Sequence, residues 1–131
     1  MLFRSGVGDL PGARDALEES LRLSPGQFPA RQLLGRVYLR MGNLKAALDQ
    51  FEAAVFLEPK NADGRMDLAR ALLQGQRPAD ALEQLTAAAQ ISPARADVQD
   101  LMAQTYKALG KDDLARKASA RAALLRKKEA P

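Results

Sequence analysis

The sequence predicts an all-α protein, a solenoid of about three and a half helix–turn–helix repeats. Two observations predict this fold. Residues of the same chemical character recur every 34 positions along the 131-residue chain. Between these recurrences, the apolar residues follow the three-and-four spacing of an amphipathic helix.

The period is visible in at least six columns of the sequence. Four of them are Pro25, Pro59 and Pro93; Ala13, Ala47, Ala81 and Ala115; Leu17, Phe51, Leu85 and Ser119; and Leu34, Leu68 and Met102. Another column holds Gly8, Gly42 and Gly110, and Gln76 takes the remaining place in it. Agreement of this kind at one fixed spacing indicates tandem copies of a single unit.

The best preserved copy shows what the unit is. Apolar residues from 28 to 41 have helical spacing, and Gly42 suits a left-handed helix end. Asn43 is the predicted N-cap of a second helix, which Pro59 ends. The unit is therefore a helix–turn–helix closed by proline.

The same signals place the other helices. Asn61 is a predicted N-cap, and Pro78 suits the first turn of a helix. The predicted helices are 9–23, 27–41, 44–57, 61–75, 78–91, 95–109 and 111–127, with residues 1–5 as the tail of an earlier helix.

Small residues recur where two helices of a hairpin must cross closely, because a large side chain would wedge them apart. The predicted facing pairs are Gly35 with Ala47, Ala69 with Ala81, and Ala103 with Ala115.

The composition excludes most kinds of chemistry. The chain has no Cys and no His, which removes thiol nucleophiles, zinc fingers and imidazole acid–base pairs. No phosphate-binding loop or nucleophile elbow occurs, and no carboxylate cluster suits a metal ion. We therefore expect a protein that is not an enzyme and that uses no cofactor and no metal. No stretch is long and apolar enough for a transmembrane segment or a secretory signal.

The repeat pattern resembles that of the tetratricopeptide repeat family, which has the same period. The residues that carry the resemblance are Leu34, Gly35, Tyr38, Ala47, Phe51, Ala54 and Pro59. One departure is that Arg31, Arg65 and Gln99 replace a frequent aromatic residue of the family.

The resemblance covers essentially the whole chain and divides it into one array over 1–131. Residues 1–27 form a partial repeat, which is followed by repeats 28–61, 62–95 and 96–129. The resemblance implies a right-handed α-α superhelix that acts as a non-catalytic scaffold and binds a protein or peptide ligand in its concave groove. The Ala-, Leu-, Arg- and Gly-rich composition is typical of a bacterial protein.

The family's usual groove positions can be carried over to this sequence. They are Gln32, Arg36, Leu39 and Arg40 in one repeat, Asp63, Met66, Arg70 and Leu73 in the next, and Asp97, Asp100, Gln104 and Lys107 in the last. Arg36 and Arg70 hold the same repeat position, so we expect them about 10 Å apart, where they could bind an acidic side chain or a terminal carboxylate.

The apolar contact in this groove is predicted to come from Leu39, Met66 and Leu73. The alternative for Arg70 is a bracing role, in which it pairs with Asp67 on its own helix and with Asp100 across repeats.

One family subtype is not expected. Chaperone-binding members resemble each other in a Lys/Asn/Asn/Lys/Arg clamp for a C-terminal aspartate. The corresponding positions here are Gln32, Arg36, Asp67, Asp97 and Leu101, of which two are acidic and one is apolar.

The array begins within a repeat, so the helix at 9–23 lacks most of its hairpin partner. Its residues Leu10, Ala13, Leu17 and Leu21 are expected to expose an apolar stripe. Three interpretations remain open: the chain is a fragment of a longer tetratricopeptide repeat protein or starts at an alternative site, another copy or domain covers the helix, or the terminus frays.

The net charge of +4 lies at the C-terminal end, because residues from Lys107 onward include eight basic and three acidic residues. The basic segment 111–128 is predicted to be a solvating cap with Leu114, Ala118, Ala122 and Leu125 on its inner stripe. The alternative is a surface for an acidic partner or a membrane. A near-neutral body with few aromatic residues argues against RNA binding and other nucleic-acid partners.

Other functions remain open beside the scaffold. The chain could be a self-associating assembly element, a homo-oligomer through its N-terminal helix, or the regulatory portion of a larger enzyme such as a transferase. The absence of Cys suits both cytoplasm and periplasm, so the compartment is open.

Overall fold

The structure, a computed structural model, describes residues 9–129. All regular elements within them are α-helices. The helices are α1 Leu10–Leu23, α2 Phe28–Arg40, α3 Leu44–Leu57, α4 Ala62–Gln74, α5 Pro78–Ile91, α6 Ala96–Ala108 and α7 Asp112–Glu129. The predicted helices are confirmed to within one or two residues, while the predicted helical tail at 1–5 lies outside the described residues. No helix in this range is long and apolar enough to cross a membrane.

The helix ends follow the predicted local chemistry. The side chain of Asn43 accepts a hydrogen bond from the backbone N–H of Ala46 at 3.2 Å, and that of Asn61 accepts one from Gly64 at 3.3 Å. Each bond satisfies one of the backbone donors that a helix N-terminus leaves unpaired. Pro78 lies in the first turn of α5, as predicted.

The turn that closes each hairpin requires a left-handed residue. Gly42 has φ +82° and Gly110 has φ +75°, whereas the same column holds Gln76 in the middle copy, with φ +60°. A residue with a Cβ is strained in this conformation, and glycine is not. The middle hairpin therefore keeps the turn at an energetic cost.

Residues 9–59 belong to one compact unit, in which α2 packs against both α1 and α3. Its core cluster contains Leu21, Ala30 and Leu34, and Leu17 and Tyr38 pack against it. The Tyr38 hydroxyl also donates a hydrogen bond to the carboxylate of Glu18, which joins α2 to α1.

The prediction of an exposed apolar stripe on α1 is wrong. Leu21 is buried, and Leu10, Ala13 and Leu17 are half-buried. Leu17 and Leu21 pack with Ala30, Leu34 and Tyr38 of α2, although the two helices belong to different repeats.

Within the hairpin α2–α3, the small residue Gly35 lies against the ring of Phe51. A Cβ atom at Gly35 would come within 2.5 Å of the Phe51 ring. The predicted partner of Gly35 is Ala47; this residue is fully buried, but the nearest atoms to Gly35 belong to Phe51. In the hairpin α4–α5 the same two positions hold Ala69 and Leu85, both fully buried. Where alanine replaces glycine on the first helix, leucine replaces phenylalanine on the second, so the combined volume of the two side chains changes little.

A hydrogen bond also recurs with the period. Arg31 donates to the side-chain oxygen of Gln50 at 3.1 Å, and Arg65 donates to that of Gln84 at 3.0 Å. Both bonds tie the first helix of a hairpin to the second. The arginines that replace the family's aromatic residue therefore brace the hairpin with a polar contact.

Residues 60–129 belong to the second compact unit, in which α6 packs against α5, α4 and α7. The buried face of α7 consists of Ala115, Ala118, Ala122 and Leu125. The prediction that Leu114 lies on this face is wrong, since its side chain is 40% exposed. It lies one residue from Ala115, and one residue turns the helix by about 100°.

The Gly35–Phe51 pair generates a prediction about packing. Gly35→Ala is expected to lower the free energy of unfolding by about 1–3 kcal/mol because its methyl group overlaps the ring. Phe51→Leu is expected to cost about 1–2 kcal/mol by leaving a void. The double variant recreates the Ala69–Leu85 pair, so its cost should be at least about 1 kcal/mol less than the sum, as measured by urea unfolding. Additive costs would contradict the proposed complementarity.

The turn at Gln76 generates a second prediction. Gln76→Gly is expected to raise the free energy of unfolding by about 0.5–1 kcal/mol, because relief of the left-handed strain exceeds the extra entropy of an unfolded glycine. The matched control is Gln90→Gly in the last turn of α5, which should lose stability. Thermal unfolding of both variants would reveal the opposite signs, and a loss in both would refute the prediction.

Candidate peptide-binding surface

The twelve predicted groove residues are divided between the two units. Gln32, Arg36, Leu39 and Arg40 lie on α2 in the first unit. The other eight lie on α4 and α6 in the second. Arg36 lies in the first unit and Arg70 in the second, so the expected distance of about 10 Å between them stays a prediction.

In the first unit, the four residues share one face of α2. Arg36 and Arg40 are exposed, and Gln32 and Leu39 are half-buried. Their spacing of four, three and one residues is that of a single helix face. The face therefore offers two guanidinium groups beside one apolar side chain.

In the second unit, α4 and α6 line a cavity of about 390 Å³, which we call the α4–α6 cleft. Its lining residues are Arg70, Leu73, Gln74, Leu101 and Gln104. Three of these are predicted groove residues, while Gln74 and Leu101 are not. The period could have indicated Gln74, since it occupies the repeat position of the predicted residue Arg40.

Met66 does not belong to this surface. Its side chain is only 1% exposed, so it forms part of the core and cannot contact a ligand. It lies one helical turn before Arg70, which is exposed. The position is exposed in the last repeat, where Asp100 takes it.

Three predicted groove residues border a second cavity of about 840 Å³ on the α6–α7 hairpin. They are Asp100, Gln104 and Lys107. Gln104 lies at the edge of both cavities. The last repeat thus contributes to two separate surfaces.

The acidic residues of the predicted groove are paired within the unit. Arg95 donates to Asp63 and to Asp97, each at 2.7 Å. Asp100 pairs with Arg126 and not with Arg70, so the predicted approach of Asp100 to Arg70 is wrong. The reason is that α7 brings the long side chain of Arg126 onto the face of α6.

Arg95 is not among the predicted residues, although it joins two repeats of the unit. It immediately precedes α6, in the column that Asn61 occupies before α4. Asp63 and Asp97 also share a column, so one cation between them is stabilised by two carboxylates. The sequence could have indicated this contact, because Arg95 takes the place of the N-cap Asn61 and lies two residues before Asp97.

These contacts shift protonation equilibria in the expected directions. The hydrogen bond from Arg95 lowers the pKa of Asp97, and the nearby charge of Arg70 lowers it further. The two carboxylates raise the pKa of Arg95. Both side chains are therefore charged at neutral pH.

Arg70 forms the predicted ion pair with Asp67 on its own helix, at 3.6 Å. The guanidinium side chain is nevertheless 49% exposed, whereas Asp67 is buried. Because a guanidinium has five N–H donors, one long ion pair leaves donors that can bind another carboxylate. Leu73 and Leu101 add apolar surface beside it, so the cleft can bind a group that has an acidic and an apolar part.

The described residues include no group of three or more His, Cys, Asp or Glu side chains that could hold a metal ion.

Comparison with known families agrees with the repeat. A tetratricopeptide repeat family model matches residues 33–96, and a second tetratricopeptide repeat model matches residues 6–56. This chain is a tetratricopeptide repeat protein. No curated protein matches the sequence.

Solved structures of MamA are similar to this tetratricopeptide repeat protein. One comprises residues 41 to the end of MamA from Desulfovibrio magneticus RS-1, with a TM-score of 0.88 and 21% identity over 95% of this chain and 71% of that chain. A second MamA crystal structure has a TM-score of 0.86 and 22% identity over 95% and 76%. MamA of MSR-1 has a TM-score of 0.83 and 22% identity over 94% and 71%. The predicted fold class, an all-α tetratricopeptide repeat solenoid, is confirmed. Membership in this family supports a protein-binding role.

The Arg95 contacts generate a pH prediction. Arg95→Ala is expected to raise the pKa of Asp97 towards that of an ordinary aspartate, as measured by NMR titration of its carboxyl carbon. A carboxylate with a lowered pKa in the folded state contributes stability above its unfolded pKa of about 3.9, and this contribution is lost as the pH falls through the folded pKa. The variant should therefore be less stable at neutral pH, and the difference should shrink below about pH 4.

Arg77→Ala is the matched control, because Arg77 pairs with Asp80 and not with Asp97. The pKa of Asp97 should not move in this variant. An Asp97 pKa that is the same in wild type and Arg95→Ala would show that the ion pair is not formed in solution.

Proposed function

We propose that this tetratricopeptide repeat protein is a non-catalytic scaffold that binds an acidic peptide segment of another protein. The proposed contact surface is the α4–α6 cleft of the second unit. Asp63, Asp97 and Asp100 are assigned to bracing the second unit and not to the ligand.

The observation that carries this proposal is that the exposed Arg70 lines the cleft together with Leu73 and Leu101. The neighbouring carboxylates of Asp63, Asp97 and Asp100 are already paired with Arg95 and Arg126. Arg70 keeps its ion pair with Asp67 at 3.6 Å, but its side chain is 49% exposed, so its remaining N–H donors can bind a ligand carboxylate. Leu73 and Leu101 would bury an apolar side chain next to that carboxylate, which supplies affinity as well as charge recognition.

Self-association through α1, the alternative that needed an exposed apolar stripe, has less support. The stripe residues Leu17 and Leu21 pack against the core of the first unit. A partner bound in the cleft requires no rearrangement of this packing.

The proposal predicts the effect of removing one guanidinium. Acidic peptides are first selected from a random peptide display library against the whole chain. Arg70→Ala is then expected to weaken the selected peptides about tenfold or more, because a hydrogen-bonded charged pair contributes about 1.5–3 kcal/mol. Amidation of the peptide's carboxylates should cause a similar loss in wild type and little further loss in the variant. Isothermal titration calorimetry measures each affinity.

Arg77→Ala is the control, since the side chain of Arg77 is also 49% exposed and also pairs with an aspartate three residues away in the sequence. It should bind like wild type. Equal affinity of wild type and Arg70→Ala, with helicity retained, would remove Arg70 from the binding surface.

A further inference from the structure

One flank of α7 differs from the rest of the molecule. It consists of Leu114, Lys117, Arg121, Leu124 and Lys128, which we call the basic flank. The spacing alternates between three and four residues, so the five side chains form one continuous row along the helix. The row is about 20 Å long, at 1.5 Å per residue.

This row points to solvent. A different face of α7 packs against α6. This face consists of the buried residues Ala115, Ala118, Ala122 and Leu125. The three cations of the basic flank are exposed, and the leucine side chains are 40% and 61% exposed at Leu114 and Leu124. The fold of the second unit therefore leaves much of the surface of both leucines open to solvent.

The cations of the basic flank are also left without acidic partners. Arg116 pairs with Asp113, and Arg126 pairs with Asp100. Among residues 9–129, no carboxylate forms an ion pair with Lys117, Arg121 or Lys128. Within the described residues, these three cations therefore form no ion pair.

The repeats of the chain supply an internal comparison. The equivalent positions one repeat earlier, on α5, hold Asp80, Glu83, Ala87 and Gln90. Those two repeats earlier, on α3, hold Ala46, Asp49, Ala53 and Phe56. The corresponding positions carry two acidic residues on α5 and one on α3, and none of them is basic, whereas two of those on α7 are basic.

Helix formation does not account for this difference. The helix dipole favours cations only in the last turn, which explains Lys128. Lys117 and Arg121 lie in the middle of α7, where the dipole gives no such preference. The helix also does not need a leucine at position 124, since the equivalent residue on α5 is Gln90.

We propose that the basic flank binds an acidic amphipathic α-helix of a partner protein. A row with alternating spacing of three and four is the surface by which one helix packs along another. Leu114 and Leu124 would contact apolar residues of the partner, and Lys117, Arg121 and Lys128 would pair with its carboxylates. This surface lies outside the residues of the α4–α6 cleft, so the inference does not depend on the peptide-binding proposal.

The same features disfavour other anionic partners. Lipid insertion requires a wide apolar face, and the broad Ala/Leu face of α7 is buried against α6. Nucleic acid requires cations that follow a phosphate backbone, with aromatic residues for stacking. Two leucines interleaved with three cations at helical spacing match an acidic helix better than either.

The test transfers the α5 surface to α7. The triple variant Lys117→Glu, Arg121→Ala and Leu124→Gln places on α7 the residues that α5 carries at the same repeat positions. All three sites are exposed and the introduced residues already occur in a helix of this chain, so the fold should be retained, as checked by circular dichroism and thermal unfolding. The probe is a synthetic helical peptide about three heptads long, whose contact row alternates leucine and glutamate.

Fluorescence anisotropy should show that the probe binds wild type in a salt-dependent manner, and that the triple variant binds it at least about tenfold more weakly. The control is Lys45→Glu with Lys60→Ala, which makes the same change in net charge at two other exposed sites and should bind like wild type. The single variant Leu124→Gln should weaken binding without changing its salt dependence. Arg70→Ala should have no effect on this probe.

Absence of probe binding by wild type would overturn the inference, as would equal binding by the triple variant. An equal loss in the charge-matched control would also overturn it, since net charge alone would then explain binding. Phosphatidylserine vesicles and single-stranded RNA serve as competitors. Tighter binding of either one through the basic flank would assign the surface to that class of partner and refute the acidic helix.

Discussion

The contact on which the hairpin α2–α3 depends is that between Gly35 on its first helix and Phe51 on its second. The ring of Phe51 occupies the space where Gly35 has no side chain, and Leu85 and Ala69 occupy the same positions in the next hairpin. Two helices can approach closely only where one of them carries a small residue, so this pair sets the distance between them. The distance in turn sets how the side chains on their outer faces are placed. The surfaces considered for binding are set by this internal contact.

Charge pairing then determines what those surfaces can bind. In the second unit, Arg95 and Arg126 hold the three aspartates of α4 and α6 that belong to the predicted groove. The same residue types would repel an acidic ligand if they were unpaired. Their neutralisation leaves the cleft positively charged at Arg70, while α7 carries its own unpaired cations on a different face.

The sequence predicts the helices well because the period, the caps and the helix-ending residues are local signals that agree with one another. It fails where the outcome depends on a neighbouring helix. The period places Met66 in the groove because it cannot tell an exposed position from a buried one. The stripe of α1 is expected to be exposed because its cover, α2, belongs to the next repeat. Arg95 is not among the predicted groove residues because it precedes α6, and its contact with Asp63 joins residues that are 32 positions apart.

The recurring bond between an arginine and a glutamine has a consequence for changes in chain length. Arg31 and Gln50 are separated by the same number of residues as Arg65 and Gln84. Loss of one whole repeat length between Arg31 and Gln84 brings these two residues into register, so a bond of the same kind can form. A deletion of any other length between them breaks that register. A whole module can therefore be gained or lost while this bond is kept, whereas a small insertion or deletion between its two residues would break it.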